Sequence, residues 1–236
     1  MSILFNGTDI ESLGVVSNVR RSISLRDPQL ITIPGMDGAL LGRNNLAPAT
    51  IEMDITVIGD PATREPILRD LGELLNTQGL APLEFDDDDG KHLMATCSGN
   101  VITRYVDGAT IESVIFTAPD PVMYGDQDSV TMASSSETIT VGGNYPTKPR
   151  ITCASAINGG GGSWGIQIDG GEFLRIELAA SGVSVDVDCE TRTAYEGSVT
   201  TLPTLSSDWL TLTPGTHTVT LTGTGYPTIE WSERWL

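Results

Sequence analysis

The sequence predicts a mainly β protein with two domains, and three observations support this prediction. The chain has 236 residues, which suits two domains of ordinary size. Hydrophobic residues make up 39 % of it and charged residues only 19 %, as in chains that build packed cores. The 26 glycines and 13 prolines predict many turns, and few stretches show helical periodicity.

The first domain is predicted to span residues 1–128 and to open with short strands at 14–19 and 29–33. Residues 29–46 are predicted to form a hairpin or extended loop that displays apolar side chains. Its turn contains Pro34 and Gly35. Proline presets φ at the first central position of a type II turn, and glycine accepts the positive φ of the second.

Residues 50–58 alternate regularly in polarity. Ile51, Met53 and Ile55 face one way, and the acidic residues between them face the other. A period of two with one apolar face predicts a half-buried strand.

One helix is predicted, at residues 61–76. Asp60 can cap its N-terminus, and Pro61 suits the first helical position. Apolar side chains then recur at helical spacing, at Ile67, Leu68, Leu71, Leu74 and Leu75. We expect this apolar face to cover a sheet as part of the core, not to form a cofactor site.

Further strands are predicted at 81–85, 93–97 and 111–117, and the small polar segment 125–136 is predicted to be a linker. The second domain, residues 129–236, shows short strands between turn signals, with clear alternation at 183–189 and further strands at 216–221 and 227–231. This spacing predicts an antiparallel sandwich.

Charge and composition disfavour several classes of function. The net charge is −18, with −12 in residues 1–128 and −6 in the remainder, and neither part has a basic patch. We therefore expect no direct, sequence-specific binding of nucleic acid. No apolar run is long enough for a signal peptide or a membrane span, so we expect no membrane partner. Three cysteines, Cys97, Cys153 and Cys189, indicate neither a disulfide framework nor a zinc site, and favour folding in a reducing cytoplasm.

Two motifs could bind ligands, but each has a simpler interpretation. The acidic run 86–89 before Gly90 lacks the spaced ligands of a calcium loop, so a solvated hairpin turn is favoured. The glycine-rich segment 158–163 has no helix or lysine after it to hold phosphate, so a flexible hairpin loop is favoured. We predict no metal site and no cofactor.

No residue pattern specifies catalysis. The only histidines, His92 and His217, lie in no nucleophile motif, and with 31 acidic residues some carboxylate pair is bound to occur. We expect no catalytic residues and no enzyme activity. The tryptophans of the second domain could stack on sugars if exposed, although core positions are favoured.

Four segments, taken in order, resemble the phage distal tail protein family of long, flexible-tailed bacteriophages. They are Phe5-Asn6-Gly7 with Leu13-Gly14-Val15-Val16; the turn Ile33-Pro34-Gly35-Met36-Asp37-Gly38; the strand–helix–strand block 51–85; and, across the predicted linker, 141–151, 210–215 and Glu233-Arg234-Trp235-Leu236.

The resemblance implies an N-terminal β-sandwich-like ring domain with one covering α-helix and a C-terminal galectin-like antiparallel β-sandwich. It implies a structural virion protein of the tail tip, assembled in the host cytoplasm, whose six copies form a ring hub. Its partners would be the tail tube protein, the tape-measure protein, and the tail-tip, baseplate hub and receptor-binding proteins. The predicted subunit interface is Ile33, Pro34, Gly35, Asp37, Gly38, Leu40 and Leu41.

Other readings remain open at this point. The aliphatic residues near the Pro-Gly turn could instead pack on their own domain. The chain could also be a carbohydrate-binding adhesin module of the tail tip, since a galectin-like sandwich suits that role. A glycosidase is the third alternative.

Overall fold

The computed structural model describes residues 2–23, 25–88, 90–98, 102–106, 108–159 and 162–236. The chain forms two compact units: residues up to Tyr124 together with Leu236, and Gly125–Trp235. The chain passes from one unit to the other at residue 124, against the predicted 128. In the described residues, no helix has the length and apolar character that a membrane span requires.

Within its described residues, the first unit contains ten complete strands, one α-helix and a short 3-10 helix at Ile10–Ser12. The elements are β1 (Ile3–Phe5), β2 (Thr8–Asp9), β3 (Val15–Arg21), β4 (Arg26–Ile31), β5 (Leu40–Leu46), β6 (Ala49–Ile58), α1 (Pro61–Leu75), β7 (Ala81–Phe85), β8 (His92–Cys97), β9 (Ile102–Val106) and β10 (Ala109–Ala118).

Strand β6 lies between β3 and β10, and all of these pairs are antiparallel. Strand β10 pairs with β9 along its first half and with β8 near its end, and β8 continues through β7 to β1 and β2. The two resulting layers face each other, because the rings of Phe5 in β1 and Phe116 in β10 lie 4.8 Å apart. The unit is therefore a β-sandwich, as the family resemblance implies.

The alternating segment forms β6, where Ile51, Met53 and Ile55 are fully buried. The predicted helix is α1, and Asp60 caps it by accepting a hydrogen bond from the Thr63 N–H at 2.8 Å. Of its five apolar side chains, only Leu71 and Leu75 are buried. Ile67, Leu68 and Leu74 are half-buried, and Leu68 borders an open pocket beside the helix.

The second unit is a sandwich of two antiparallel sheets. Its strands are β11 (Met123–Thr131), most of which belongs to this unit, β12 (Ser136–Val141), β13 (Arg150–Ala156), β14 (Trp164–Ile168), β15 (Phe173–Ile176), β16 (Val183–Asp188), β17 (Thr193–Glu196), β18 (Val199–Thr201), β19 (Gly215–Thr222) and β20 (Thr228–Trp235). One sheet has the order β12-β19-β14-β15, and the other β11-β20-β13-β16-β17-β18. One core fills the space between them.

The prediction of a linker at 125–136 is wrong. Residues up to Thr131 belong to β11, which pairs with β20, and Met132 is buried in the core of the sandwich. Backbone hydrogen bonds need no apolar side chains, so a polar segment can form a strand. Packing explains why position 125 is a glycine, since a Cβ there would lie 3.1 Å from Nε1 of Trp235.

Candidate subunit-contact surface

The segment that the sequence singles out forms a separate two-stranded hairpin, which we call the projecting hairpin (Arg26–Leu46). Strands β4 and β5 are antiparallel and pair with each other alone among the described strands. Near the base of the hairpin, the Arg26 guanidinium donates a hydrogen bond to the Asn44 carbonyl at 2.8 Å. Gly42 allows the strands to approach, because a Cβ there would lie 3.1 Å from the Gln29 carbonyl oxygen.

The turn at the end of the hairpin has the predicted type II geometry. The Met36 N–H donates to the Ile33 carbonyl at 3.1 Å, and Gly35 has φ +84°. Gly38 also has a positive φ, of +83°. Glycine adopts such φ values without steric cost. The backbone conformation therefore explains why positions 35 and 38 are glycines.

Every described residue from Leu25 to Asn45 is exposed. Leu30 and Leu41 lie directly opposite each other and are 64 % and 60 % exposed. The other exposed apolar side chains of this segment are Leu25, Ile31, Ile33, Met36 and Leu40. The structure therefore brings the predicted interface residues onto one projecting element, and their aliphatic side chains do not pack on their own unit.

The core of the first unit is complete without this hairpin. Among the described residues, none between 20 and 48 belongs to the buried cluster or packs against it. A substitution in the hairpin should therefore leave the fold intact. Sequence reasoning missed Leu30, because a register shift between Pro28 and Leu30 hides its alignment with Leu41.

The acidic turn between β7 and β8 is held by protein groups. Asp87 pairs with Arg21, Asp88 lies 3.3 Å from the Lys91 ammonium, and the Ser2 N–H donates to Asp86 at 2.6 Å. The hydrogen bond from Arg21 lowers the pKa of the Asp87 carboxyl. Asp89 lies outside the described residues. Within the described part of the chain, no group of three potential metal ligands occurs.

His217 is a structural link between loops. Its Nδ1 lies 2.7 Å from Oδ2 of Asp169, and its Nε2 lies 2.6 Å from the carbonyl oxygen of Thr213. Burial lowers the pKa of the His217 imidazole, but the hydrogen bonds to Asp169 and Thr213 raise it by more, so its pKa is raised overall. Both ring nitrogens therefore have acceptors within hydrogen-bonding distance, and the Thr213 hydroxyl also lies 3.4 Å from Nε2. His92 stacks on Tyr124, with ring centroids 5.9 Å apart.

The tryptophans contribute mainly to the core of the second unit. Trp164 and Trp231 are buried, and Trp209 packs against the same cluster. Trp235 is half-buried. Of the predicted loop 158–163, residues 160 and 161 lie outside the described residues.

Comparison with known families agrees with this architecture. Residues 5–105 match a family described as a phage tail protein RIFT-related domain, and residues 142–235 match one described as a siphovirus-type tail component, C-terminal domain. Each structural unit thus corresponds to one domain of a phage tail component. The chain belongs to the phage distal tail protein family.

Solved structures show the same fold. The Dit protein of phage SPP1, described as a paradigm of the hub adsorption apparatus in phages infecting Gram-positive bacteria, superimposes with a TM-score of 0.82. The two proteins share 21 % identity over 100 % of this chain and 99 % of that one.

Two baseplate structures of phage p2 show weaker similarity. The activated baseplate with Ca gives a TM-score of 0.48 at 10 % identity, covering 96 % of this chain and 92 % of that one. The activated baseplate with Sr gives 0.46 at 10 % identity, covering 97 % and 96 %. Among curated proteins, none matches the chain significantly.

Proposed function

We propose that this structural tail protein forms a homohexameric ring hub at the distal end of a long phage tail, and that the projecting hairpin makes the contact between neighbouring subunits. The observation that supports the proposal is the exposure of the hairpin. Its aliphatic side chains face water, while the core of its own unit is complete without them.

Burial of the hairpin against a neighbour would contribute to the stability of a ring. An isolated two-stranded hairpin is only marginally stable in water, so a partner surface would stabilise it. At about 25 cal/mol per Å² of buried apolar surface, covering two half-exposed leucines contributes roughly 2 kcal/mol or more for each contact. A closed head-to-tail ring repeats this contact at every subunit.

In this proposal the first units make the ring and the second units project outward. The ring would receive the tail tube protein on one side and the tail-tip, baseplate and receptor-binding proteins on the other, with the tape-measure protein in its lumen. The net charge of −18 would limit adhesion of DNA passing through the ring, because like charges repel. The protein would assemble in the host cytoplasm and act without a cofactor or catalysis.

The test is the double substitution Leu40→Asp and Leu41→Asp. Each aspartate would carry a charge into a contact that must exclude water, so we expect loss of the hexamer. Light scattering after size exclusion and native mass spectrometry would measure the mass, and negative-stain images would show the ring. The β-type circular dichroism spectrum should not change, because neither leucine belongs to the core.

A matched control is available in the second unit. Leu202 and Leu205 are 82 % and 107 % exposed, so Leu202→Asp with Leu205→Asp adds the same charges at an equally open surface. This variant should keep the hexameric mass. A wild-type protein that is monomeric at micromolar concentration, or a Leu40→Asp/Leu41→Asp variant that still forms hexamers, would contradict the proposal.

A further inference from the structure

The second unit has a long irregular connection, residues 202–214, which we call the crossover segment. It runs from β18 at the edge of one sheet to β19 inside the other. Leu210 and Leu212 in this segment are fully buried and belong to the core of the sandwich. Leu212 and Thr147 exchange two backbone hydrogen bonds of 2.8 Å. The attachment of the crossover segment therefore contributes to the stability of the second unit.

Two side chains bind the last residues of the crossover segment. Oε2 of Glu172 accepts a hydrogen bond from the Thr211 N–H at 3.1 Å. Nε2 of His217 lies 2.6 Å from the Thr213 carbonyl oxygen. A carbonyl oxygen can only accept a hydrogen bond, so Nε2 carries the proton of this contact.

The other ring nitrogen of His217 also faces an acceptor. Nδ1 lies 2.7 Å from Oδ2 of Asp169, whose Oδ1 accepts a hydrogen bond from the Thr218 N–H at 2.7 Å. The hydrogen bonds from His217 and Thr218 lower the pKa of the Asp169 carboxyl, which favours the carboxylate. Histidine donates from both nitrogens only as the imidazolium. The geometry therefore favours a positively charged ring at a position that is only 9 % exposed.

The turn between β14 and β15 positions Asp169. Asp169 and Gly170 have φ of +50° and +70°, and the Gly171 N–H donates to the Ile168 carbonyl at 2.8 Å. Two successive positive φ values are typical of a type I′ turn, in which asparagine and aspartate are both favoured at the first central position. An asparagine at position 169 would therefore keep the turn and remove the charge.

The charge that acts on the His217 ring is that of Asp169. Other charged side chains on the neighbouring elements are Glu137 on β12, Lys148 before β13, Glu172 in the turn and Arg175 on β15. Of these, Lys148 lies 3.6 Å from a carboxylate oxygen of Glu190. Burial disfavours the charged ring, but the hydrogen bonds to Asp169 and Thr213 favour it by more, so the pKa of the His217 imidazole is raised.

We propose that the protonated ring of His217 fastens the crossover segment to the turn at Asp169, and that loss of its proton at alkaline pH releases this segment. A neutral imidazole has one N–H, so either Asp169 or the Thr213 carbonyl loses its donor. The stability that the ring contributes is complete below the unfolded pKa of histidine, about 6.5, and is lost as the pH rises through the higher folded value. The device acts within one subunit, whether or not the subunits form a ring.

NMR of the histidine rings tests the charge directly, because the chain has only two histidines. The His217 signal is the one that is absent from His217→Gln and persists in His92→Gln. We expect it to titrate at a higher pH in the folded protein than in concentrated urea, with protons on both ring nitrogens at pH 7. Asp169→Asn should lower the pH of this titration, because the amide NH₂ can donate to an unprotonated Nδ1.

Asp188→Asn is the matched control for Asp169→Asn. Asp188 also accepts backbone hydrogen bonds at a turn of the second unit, from Glu190 and Thr191 at 2.8 Å and 3.1 Å. This substitution should leave the titration of His217 unchanged. The proposal is overturned if the His217 ring of the wild type titrates at or below its value in urea, or if Asp169→Asn does not affect it.

Hydrogen exchange at a single pH measures the attachment of the crossover segment. At pH 7 the Leu212 amide should exchange about two- to tenfold faster in Asp169→Asn than in the wild type or Asp188→Asn, as expected when one hydrogen bond is lost. Tryptophan fluorescence follows urea unfolding of the second unit alone, since all four tryptophans lie there. The difference in urea midpoint between the wild type and Asp169→Asn should shrink from pH 6 to pH 9. Equal exchange rates, or a constant difference in midpoint, would refute the release of the segment.

Discussion

Two hairpins of the first unit each pair two leucines across their strands but place them in opposite environments. The projecting hairpin pairs Leu30 with Leu41, and the hairpin β7–β8 pairs Leu83 with Leu93. The first two leucines are 64 % and 60 % exposed, whereas the other two are 0 % and 7 % exposed. The same pair of residues in the same kind of ladder is thus core in one place and surface in the other.

The difference arises from what else each hairpin contacts. Strand β7 also pairs with β1, and β8 also pairs with β10, so this hairpin joins the two layers of the sandwich. In the projecting hairpin, β4 and β5 pair only with each other among the described strands. An apolar ladder with nothing packed against it indicates a surface that a partner covers.

The largest expected effect is the difference between Leu83→Ala and Leu30→Ala in the free energy of unfolding. In the monomeric Leu40→Asp/Leu41→Asp background, Leu83→Ala should lower the free energy of unfolding by about 2–5 kcal/mol, because it leaves a cavity in the core. Leu30→Ala should change it by less than about 0.5 kcal/mol, as exposed substitutions do. Urea unfolding followed by circular dichroism is the suitable measurement, since all four tryptophans lie in the second unit.

Equal losses of stability from these two substitutions would contradict the contrast between a core hairpin and an exposed one, because they would place Leu30 in the core. A loss for Leu83→Ala under about 1 kcal/mol would show that the layer formed by β7 and β8 contributes little.

A smaller effect is expected at the turns of the two hairpins. Gly35 and Gly90 have φ of +84° and +73°, a region that costs a residue with a side chain about 1–2 kcal/mol. Gly90→Ala should lower the free energy of unfolding of the monomer by about that amount. Gly35→Ala should leave monomer unfolding unchanged and weaken subunit association, which dilution experiments on the native mass would detect. Loss of monomer stability in Gly35→Ala would show that the projecting hairpin belongs to the folding unit.

The smallest effect concerns the acidic turn of β7–β8 and its dependence on pH. The hydrogen bond from Arg21 holds the pKa of the Asp87 carboxyl below its ordinary value, so the folded state favours the ionised carboxylate. This contribution is present above the unfolded pKa and is lost as the pH falls through the lower folded value.

Comparison of the wild type with Arg21→Met would isolate this contribution. The thermal midpoint of the wild type should exceed that of Arg21→Met at neutral pH, and the gap should narrow below about pH 4. High salt should also reduce this difference in thermal midpoint, because the ion pair of Arg21 and Asp87 is partly exposed. A gap that stays constant from pH 7 to pH 3 would instead assign the role of Arg21 to its packing on the Phe85 ring, 4.2 Å from the guanidinium carbon.

Local patterns allowed much of the fold to be predicted. The alternation around Ile51 and Met53 predicted β6, and the cap at Asp60 with the leucine spacing predicted α1, because both signals lie within one element. The type II turn at Gly35 also follows from adjacent residues. The segment 125–136 was predicted wrongly, because its strand is stabilised by pairing with β20, which is about a hundred residues away in the chain.

The sequence by itself determined strands with regular alternation such as β6, the helix, the Pro-Gly turn and the acidic charge of this protein, since each depends on neighbouring residues or on composition. The apolar residues of 29–46 were visible in the sequence too, but their pattern could not distinguish a core hairpin from a projecting one. Only the tertiary structure decided this, because burial depends on which distant strands pack over a side chain. The same reason explains the pocket beside α1, where β10 places Glu112 under a helix that begins some fifty residues earlier.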